Sequence, residues 1–156
     1  MSWRSNGSLR AVFWVVPALI ATVAVAATPA DAVRARIAGY RALGAAFKSA
    51  NDTIRAGGAR TPAMRQAAAQ IAGAARQQYG WYPAESGPQA RVKTAAKPEI
   101  WTRGREFRGA QDAFARQAAA FERVVASGDE AAIRAGVRQL GAACKGCHDS
   151  FRLADD

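Results

Sequence analysis

The sequence predicts an all-α fold, an up-down-up-down four-helix bundle, and three observations lead there. Alanine is the dominant residue, with 40 copies among 156, and β-branched residues are few; alanine is the best helix former and a poor strand former. Four segments carry apolar or small residues at alternating steps of three and four, the period of a helix with one buried face. Glycine- and proline-bearing breaks separate those segments, and no strand pattern competes. Helices of 19–26 residues in this order pack most simply as antiparallel neighbours. The length suits one small domain. One histidine and two cysteines cannot build a Cys₂His₂ or Cys₄ zinc site or a disulfide-dense scaffold.

Residues 1–27 read as a secretory signal peptide. Arg4 and Arg10, with no acid, precede the uncharged run AVFWVVPALIATVAVAA, whose small-residue end meets the polar Thr28. An uncleaved membrane anchor is the competing reading, but the run is barely long enough to span and Pro17 interrupts it. No twin arginine precedes the run, which points to general secretion. Cleavage near Ala27 leaves a domain at 28–156, in the periplasm. Loss of Arg4 and Arg10 lowers the formal charge from +10 to +8. A chain of this size buries roughly two thirds of its unfolded surface, enough for one core.

The first helix is expected over 31–56, with a stripe of Val33, Ile37, Tyr40, Gly44, Phe47 and Ile54 in which Asn51 fills one gap. Gly57-Gly58 is its stop signal. The second opens with Thr61 as N-cap and Pro62 at the first helical position. Met64, Ala68, Ile71 and Ala75 continue its stripe towards Tyr79. A long loop follows from Gly80 to Pro98, functional or simply a crossover. The third helix spans 104–126 through Phe107, Ala110, Phe114, Ala118, Phe121 and Val125. Ser127-Gly128-Asp129 breaks the chain, and Asp129 caps the fourth helix, 130–152. That helix carries Ile133, Val137, Leu140, Cys144, Cys147 and Phe151 on one seam.

Cys144-Lys145-Gly146-Cys147-His148 is C-x-x-C-H, the c-type haem attachment motif. Residues three apart lie on one helical face, so both thiols can form thioethers to one porphyrin. The adjacent histidine then supplies an axial nitrogen to the iron. Both cysteines fall on the core seam, so a haem c, one per chain, would be held near the C-terminus of the last helix. Three other readings compete. A disulfide between positions three apart on a regular helix fits the required geometry poorly. A thioredoxin-like pair belongs at a helix N-terminus in a βαβ setting, whereas this one lies at the wrong end of the dipole. A zinc site would need a fourth ligand such as Asp149, crowded into one turn.

The stretch CKGCHDSFR, Cys144 to Arg152, resembles the C-terminal signature of the cytochrome c′ family, which includes low-spin c-556-like members. Cytochrome c′ is itself an established example of the up-down-up-down bundle. AKPEIW at 96–101, YPAESG at 82–87 and RIAGYRALG at 36–44 are similar to further family stretches. The resemblance implies residue roles. Cys144 and Cys147 hold the haem, and His148 is the proximal ligand. Tyr40 takes the distal position, Arg36 pairs with a haem propionate, and Arg152 lies beside the proximal face. Trp101 and Phe107 read as packing residues, and Gly44 as a point of close helix approach. Ile37 departs from the pattern, since many relatives carry glutamine there. The resemblance also implies homodimers through the first two helices, which nothing in the sequence itself establishes.

The far side of the iron decides the function. The chain has no second histidine, and Met64 sits 16 residues before Gly80. At ~1.5 Å per residue, Met64 is on the order of 18 Å along the bundle from the level of His148. The low-spin relatives place methionine where this chain has Tyr40, and tyrosine binds iron well only as phenolate. A mainly five-coordinate, high-spin iron is expected, open to small diatomics, NO above CO. Electron transfer or reversible gas binding, with redox proteins as partners, is the leading reading. A low-spin electron carrier is the alternative, along with a haem enzyme of NO-converting or peroxidase-like activity. A peroxidase would want a distal acid–base pair, and the one histidine is already assigned, so no enzymatic role is expected. The arginines are spread along every helix, as on a solvated surface. Nucleic acid is not an expected partner of an exported protein, nor is a membrane after cleavage. Two propionates would reduce the formal excess to about +6.

Overall fold

The computed structural model describes residues 28–154, so the predicted signal peptide, 1–27, lies outside the described residues. Four long helices form the expected bundle: α1 Pro29–Arg55, α2 Pro62–Gln77, α4 Gly104–Ser127 and α5 Glu130–Phe151, with a one-turn α3 Glu99–Thr102 before α4. The predicted boundaries hold to within two residues. Each start has a visible cause. The Thr28 hydroxyl accepts from the Asp31 amide at 3.2 Å, and the Asp31 carboxylate accepts from the Thr28 amide at 3.1 Å, a reciprocal cap. Thr61 accepts from the Met64 amide at 3.3 Å, with Pro62 at the first helical position. Asp129 accepts from the Ala132 amide at 3.0 Å, directly after Gly128 turns the chain with φ +73°.

Neighbouring helices run antiparallel. At one end Arg60, before α2, bonds the Gly128 carbonyl after α4, and Arg134 near the start of α5 bonds the Ile54 carbonyl near the end of α1. At the other end Gln78, following α2, and Gln111 on α4 exchange amide-to-carbonyl hydrogen bonds of 3.1 Å each way. Both glutamines are buried, and their mutual bonding removes the cost of an unsatisfied buried amide. The start of α1, the end of α2, the start of α4 and the end of α5 therefore gather at one end of the bundle.

The main core holds Leu43, Ala46 and Ala50 of α1, Met64, Ala68, Ile71 and Ala75 of α2, Phe114, Ala118, Phe121 and Val125 of α4, and Ile133, Val137 and Leu140 of α5. Burying a side chain of leucine size contributes about 1.5–3 kcal/mol relative to exposure. The stripe expected on α2 and most of those on α4 and α5 match this core, while Phe107, Ala110, Cys147 and Phe151 belong to a second cluster with Ile100. The stripe expected on α1 is out of phase. Val33, Arg36, Leu43, Ala46 and Ala50 are buried there, while Ile37, Tyr40, Phe47 and Ile54 are only partly so. Small alanines on the inner line let α1 approach α2 closely and move the bulky residues to the flank. Gly44 is exposed with open space around it and is no point of close approach, which corrects that expectation. The close approach in α5 is at Gly136, where an added Cβ would meet the Phe121 ring at 2.9 Å.

The 80–98 crossover is more ordered than a bare loop. It contains short 3₁₀ turns at Ala84–Ser86 and Pro88–Ala90. Its last residues pair with the end of α5: Lys97 donates its amide to the Phe151 carbonyl at 3.0 Å, and Leu153 donates to Ala95 at 2.8 Å.

Candidate haem-attachment site

The α5 periodicity divides the motif between two surroundings. Cys144 packs against the main core, and Cys147 against a second cluster of Ile100, Phe107 and Phe151 with Tyr82, Trp101 and Ala110. Both thiols are free and half-buried. Burial pushes both above the usual thiol range, Cys147 to about 11 with the neighbouring Cys144 adding to the effect. Thiols held protonated near a helix C-terminus are poor thiolate nucleophiles, which weighs against the redox-pair reading. Among the described residues no group of three or more His, Cys, Asp or Glu side chains is arranged to hold a metal ion.

Aromatic rings surround Cys147. Tyr82 meets Phe107 edge-on at 4.7 Å between centroids, Phe107 meets Phe151 at 5.1 Å, and Tyr82 meets Trp101 at 5.9 Å. Arg36 is placed among them from α1 and is 2% exposed. Its guanidinium lies 4.7 Å from the Tyr82 centroid and 5.5 Å from that of Trp101. It donates to the Ser86 hydroxyl at 3.0 Å, to the Ser86 carbonyl at 3.3 Å and to the Trp81 carbonyl at 3.4 Å. Burial lowers its proton affinity, and the neighbouring Tyr82 and Tyr40 phenols partly offset that. Among the described residues no carboxylate forms an ion pair with Arg36. A buried guanidinium without an anion is costly and suits an anionic group that the chain itself does not supply.

One turn beyond Arg36, Tyr40 sits against Trp81 and Tyr82, with centroids at 4.8 and 6.3 Å. Burial first, then the adjoining Tyr82 phenol and the Cys147 thiol, push its ionisation far above the ordinary tyrosine range. Tyr40 on α1 and Cys147 on α5 both border the Tyr82 side of the aromatic cluster. Met64 is fully buried in the main core, near the start of α2 and towards the opposite end of the bundle.

His148 is exposed on the outer side of α5. With Lys97, Asp149, Arg152, Leu153 and Ala154 it lines a crevice of about 370 Å³. Arg152 closes the helix, its amide donating to the His148 carbonyl at 3.0 Å. The Lys97 ammonium donates to the Asp149 carbonyl at 3.1 Å, and Lys145 pairs with the Asp149 carboxylate at 2.6 Å.

A family model described as Cytochrome C′ matches residues 31–152. The chain belongs to the cytochrome c′ family. Cytochrome c′ of Rubrivivax gelatinosus is 42% identical over 59 residues, 38% of this chain and 46% of that protein. Sequence matches of this kind span about half the length of the curated relatives. The crystal structure of cytochrome c′ from Thermochromatium tepidum has a TM-score of 0.74 at 25% identity, covering 81% of this chain and 98% of that one. A cytochrome c prime from Alcaligenes xylosoxidans shares the fold with a TM-score of 0.71 at 22% identity, covering 83% and 100%. Membership makes this a haem protein, and it accords with the non-enzymatic reading of the sequence.

Within a cytochrome c′ frame, the residues fit a covalently held porphyrin with two carboxylates. Two thiols lie one helical turn apart, an imidazole follows the second, and Arg36 offers a buried cation. All six residues expected from the sequence lie at one end of the bundle. Arg36, Tyr40 and Cys147 share the aromatic cluster, while His148 and Arg152 face outward. The sequence assigned no role to Trp81, Ser86 or Lys97, although the last two lie in the stretches 82–87 and 96–101 that resemble the family. Trp81-Tyr82 in a loop carried no period to flag it, and Ser86 and Lys97 act across about 50 residues of chain, where spacing is silent.

Proposed function

We propose that the protein is a periplasmic cytochrome of c′ type that transfers electrons, binds NO and CO reversibly, or does both, at a mainly five-coordinate, high-spin haem iron. The attachment points are Cys144 and Cys147, the proximal ligand is His148, and the mature domain starts at Thr28 after cleavage near Ala27. When bound, haem c supplies an iron that exchanges one electron and accepts a diatomic molecule on its free side.

The observation that carries this reading is Tyr40 packed edge-on against Trp81 and beside Tyr82, a phenol that burial keeps protonated. A neutral phenol is a weak ligand, Met64 is buried elsewhere and the chain has one histidine, so no strong second ligand is offered. Tyr40 and the rings beside it exclude water and bulky or anionic molecules by size and low polarity. Arg36 binds a propionate and orients the group, and Arg152 lies beside His148. The Alcaligenes xylosoxidans structure, which shares the fold, is that of a ferrous variant with bound NO.

Among the described residues no helix is long and apolar enough to cross a membrane. A groove of about 520 Å³ between α1 and α2, lined by Ala42, Ala45, Ser49, Gln70 and Gly73, suits a homodimer through those helices. Redox proteins are the proposed partners. Titration of the purified ferrous protein with NO and CO tests the reading: saturable binding supports it, and no spectral change with either gas removes it.

A further inference from the structure

A Cβ built on Gly39 would lie 2.6 Å from Cζ2 and 2.7 Å from Cη2 of the Trp81 indole, closer than side chains approach. The indole therefore occupies a notch in α1 that only glycine leaves open. Glycine inside a helix weakens it, and α1 carries Gly39 in its middle, immediately before Tyr40. The same indole meets the Tyr40 ring edge-on, 4.8 Å between centroids at 79°. Edge-on aromatic pairs are attractive and have a defined geometry.

The segment that bears Trp81 is fixed to α1 one turn earlier. Arg36 holds the Trp81 carbonyl and both oxygens of Ser86, and the Ser86 hydroxyl donates to the Pro83 carbonyl at 2.8 Å. Trp101 adds its indole N–H to the same Pro83 carbonyl at 3.3 Å. The turn is thus closed on itself and anchored at a buried charge, so Trp81 is held in the notch by backbone as well as by packing.

We propose that Trp81 is a positioning residue for ligand access: by filling the notch at Gly39 it holds Tyr40 in one orientation beside Tyr82, and ligand entry requires the indole to withdraw. The proposal rests on the reading of Tyr40 as the residue on the ligand side. A tyrosine side chain moves between staggered rotamers and not continuously, so the wall has a closed and a swung position, and Trp81 selects the closed one. The class of ligand follows. Neutral diatomics pass a brief opening, whereas a larger neutral ligand such as ethyl isocyanide needs the wall held aside.

The test measures CO association with the ferrous holoprotein, and ethyl isocyanide affinity, in four variants. Trp81→Ala and Gly39→Ala, one removing the indole and the other pushing it out of the notch, should each speed CO association by about tenfold and tighten isocyanide binding. Trp81→Phe keeps a ring at the site and should lie close to the parent protein. In a Tyr40→Ala background, Trp81→Ala should add nothing, because it acts through Tyr40. A crystal structure of the Gly39→Ala holoprotein should show Tyr40 in a second rotamer, a change that mere destabilisation would not produce. Should Trp81→Ala fail to fold, Gly39→Ala carries the test alone. Unchanged rates in Gly39→Ala and Trp81→Ala, with faster binding in Tyr40→Ala, overturn the role of Trp81. Unchanged rates in Tyr40→Ala overturn the placement of Tyr40 itself.

Discussion

The guanidinium of Arg36 lies over the ring of Tyr82, 4.7 Å from its centroid, while its nitrogens hold Ser86 four residues further on. One buried cation on α1 thereby organises the whole turn that follows α2. Its removal leaves the Ser86 and Trp81 carbonyls without their donors and opens a cavity among Tyr82 and Trp101. Arg36→Ala should lower unfolding stability by about 2–4 kcal/mol. Arg36→Lys should recover only part, since an ammonium cannot reproduce the planar fork. Denaturant titration of the three proteins checks both statements.

Two glycines on different helices should respond in opposite directions to the same change. Gly136→Ala puts a Cβ 2.9 Å from the Phe121 ring in the main core and should cost about 1–3 kcal/mol. Gly44→Ala meets open space on the exposed side of α1 and should stabilise by about 0.5–1 kcal/mol. Thermal unfolding of the pair measures the difference in one experiment.

The helices were legible because their signals are local. Thr61-Pro62, Ser127-Gly128-Asp129 and the 3–4 spacing of α4 and α5 are each contained within a few turns of sequence. The phase of α1 was not legible, because apolar size suggested Ile37, Phe47 and Ile54 while the structure buries Arg36, Ala46 and Ala50. Close helix packing favours the small residue over the hydrophobic one, and a cation can be buried when a distant loop supplies its acceptors. Cys144, Cys147 and His148 were readable as a contiguous motif. Trp81, Ser86 and Lys97 owe their places to contacts between α1, the crossover and the end of α5, which no spacing rule encodes.

Alkaline pH should weaken the fold through Tyr40 and Tyr82. Burial raises both phenols above the ordinary value of 10, so the folded state keeps protons that the unfolded state releases. Their contribution is fully present below pH 10 and is lost as pH rises beyond it, with a slope of about 1.4 kcal/mol per pH unit for each tyrosine. Unfolding between pH 9 and 11 should show this decline, and Tyr40→Phe should reduce it. An equal decline in Tyr40→Phe counts against the buried phenol.

The mature protein isolated from the periplasm should begin at Thr28 and carry one haem by intact mass. Cys144→Ser or Cys147→Ser should leave a single thioether and a less stable adduct, and the double variant none. A mature chain without any covalent adduct contradicts the attachment.

The proposed function requires an iron held by His148 with no strong ligand opposite it. Combined optical and EPR spectra of the purified ferric protein near neutral pH test that most directly. A high-spin, five-coordinate signal that changes on addition of NO is expected. A low-spin signal that persists unchanged in Tyr40→Phe would contradict it.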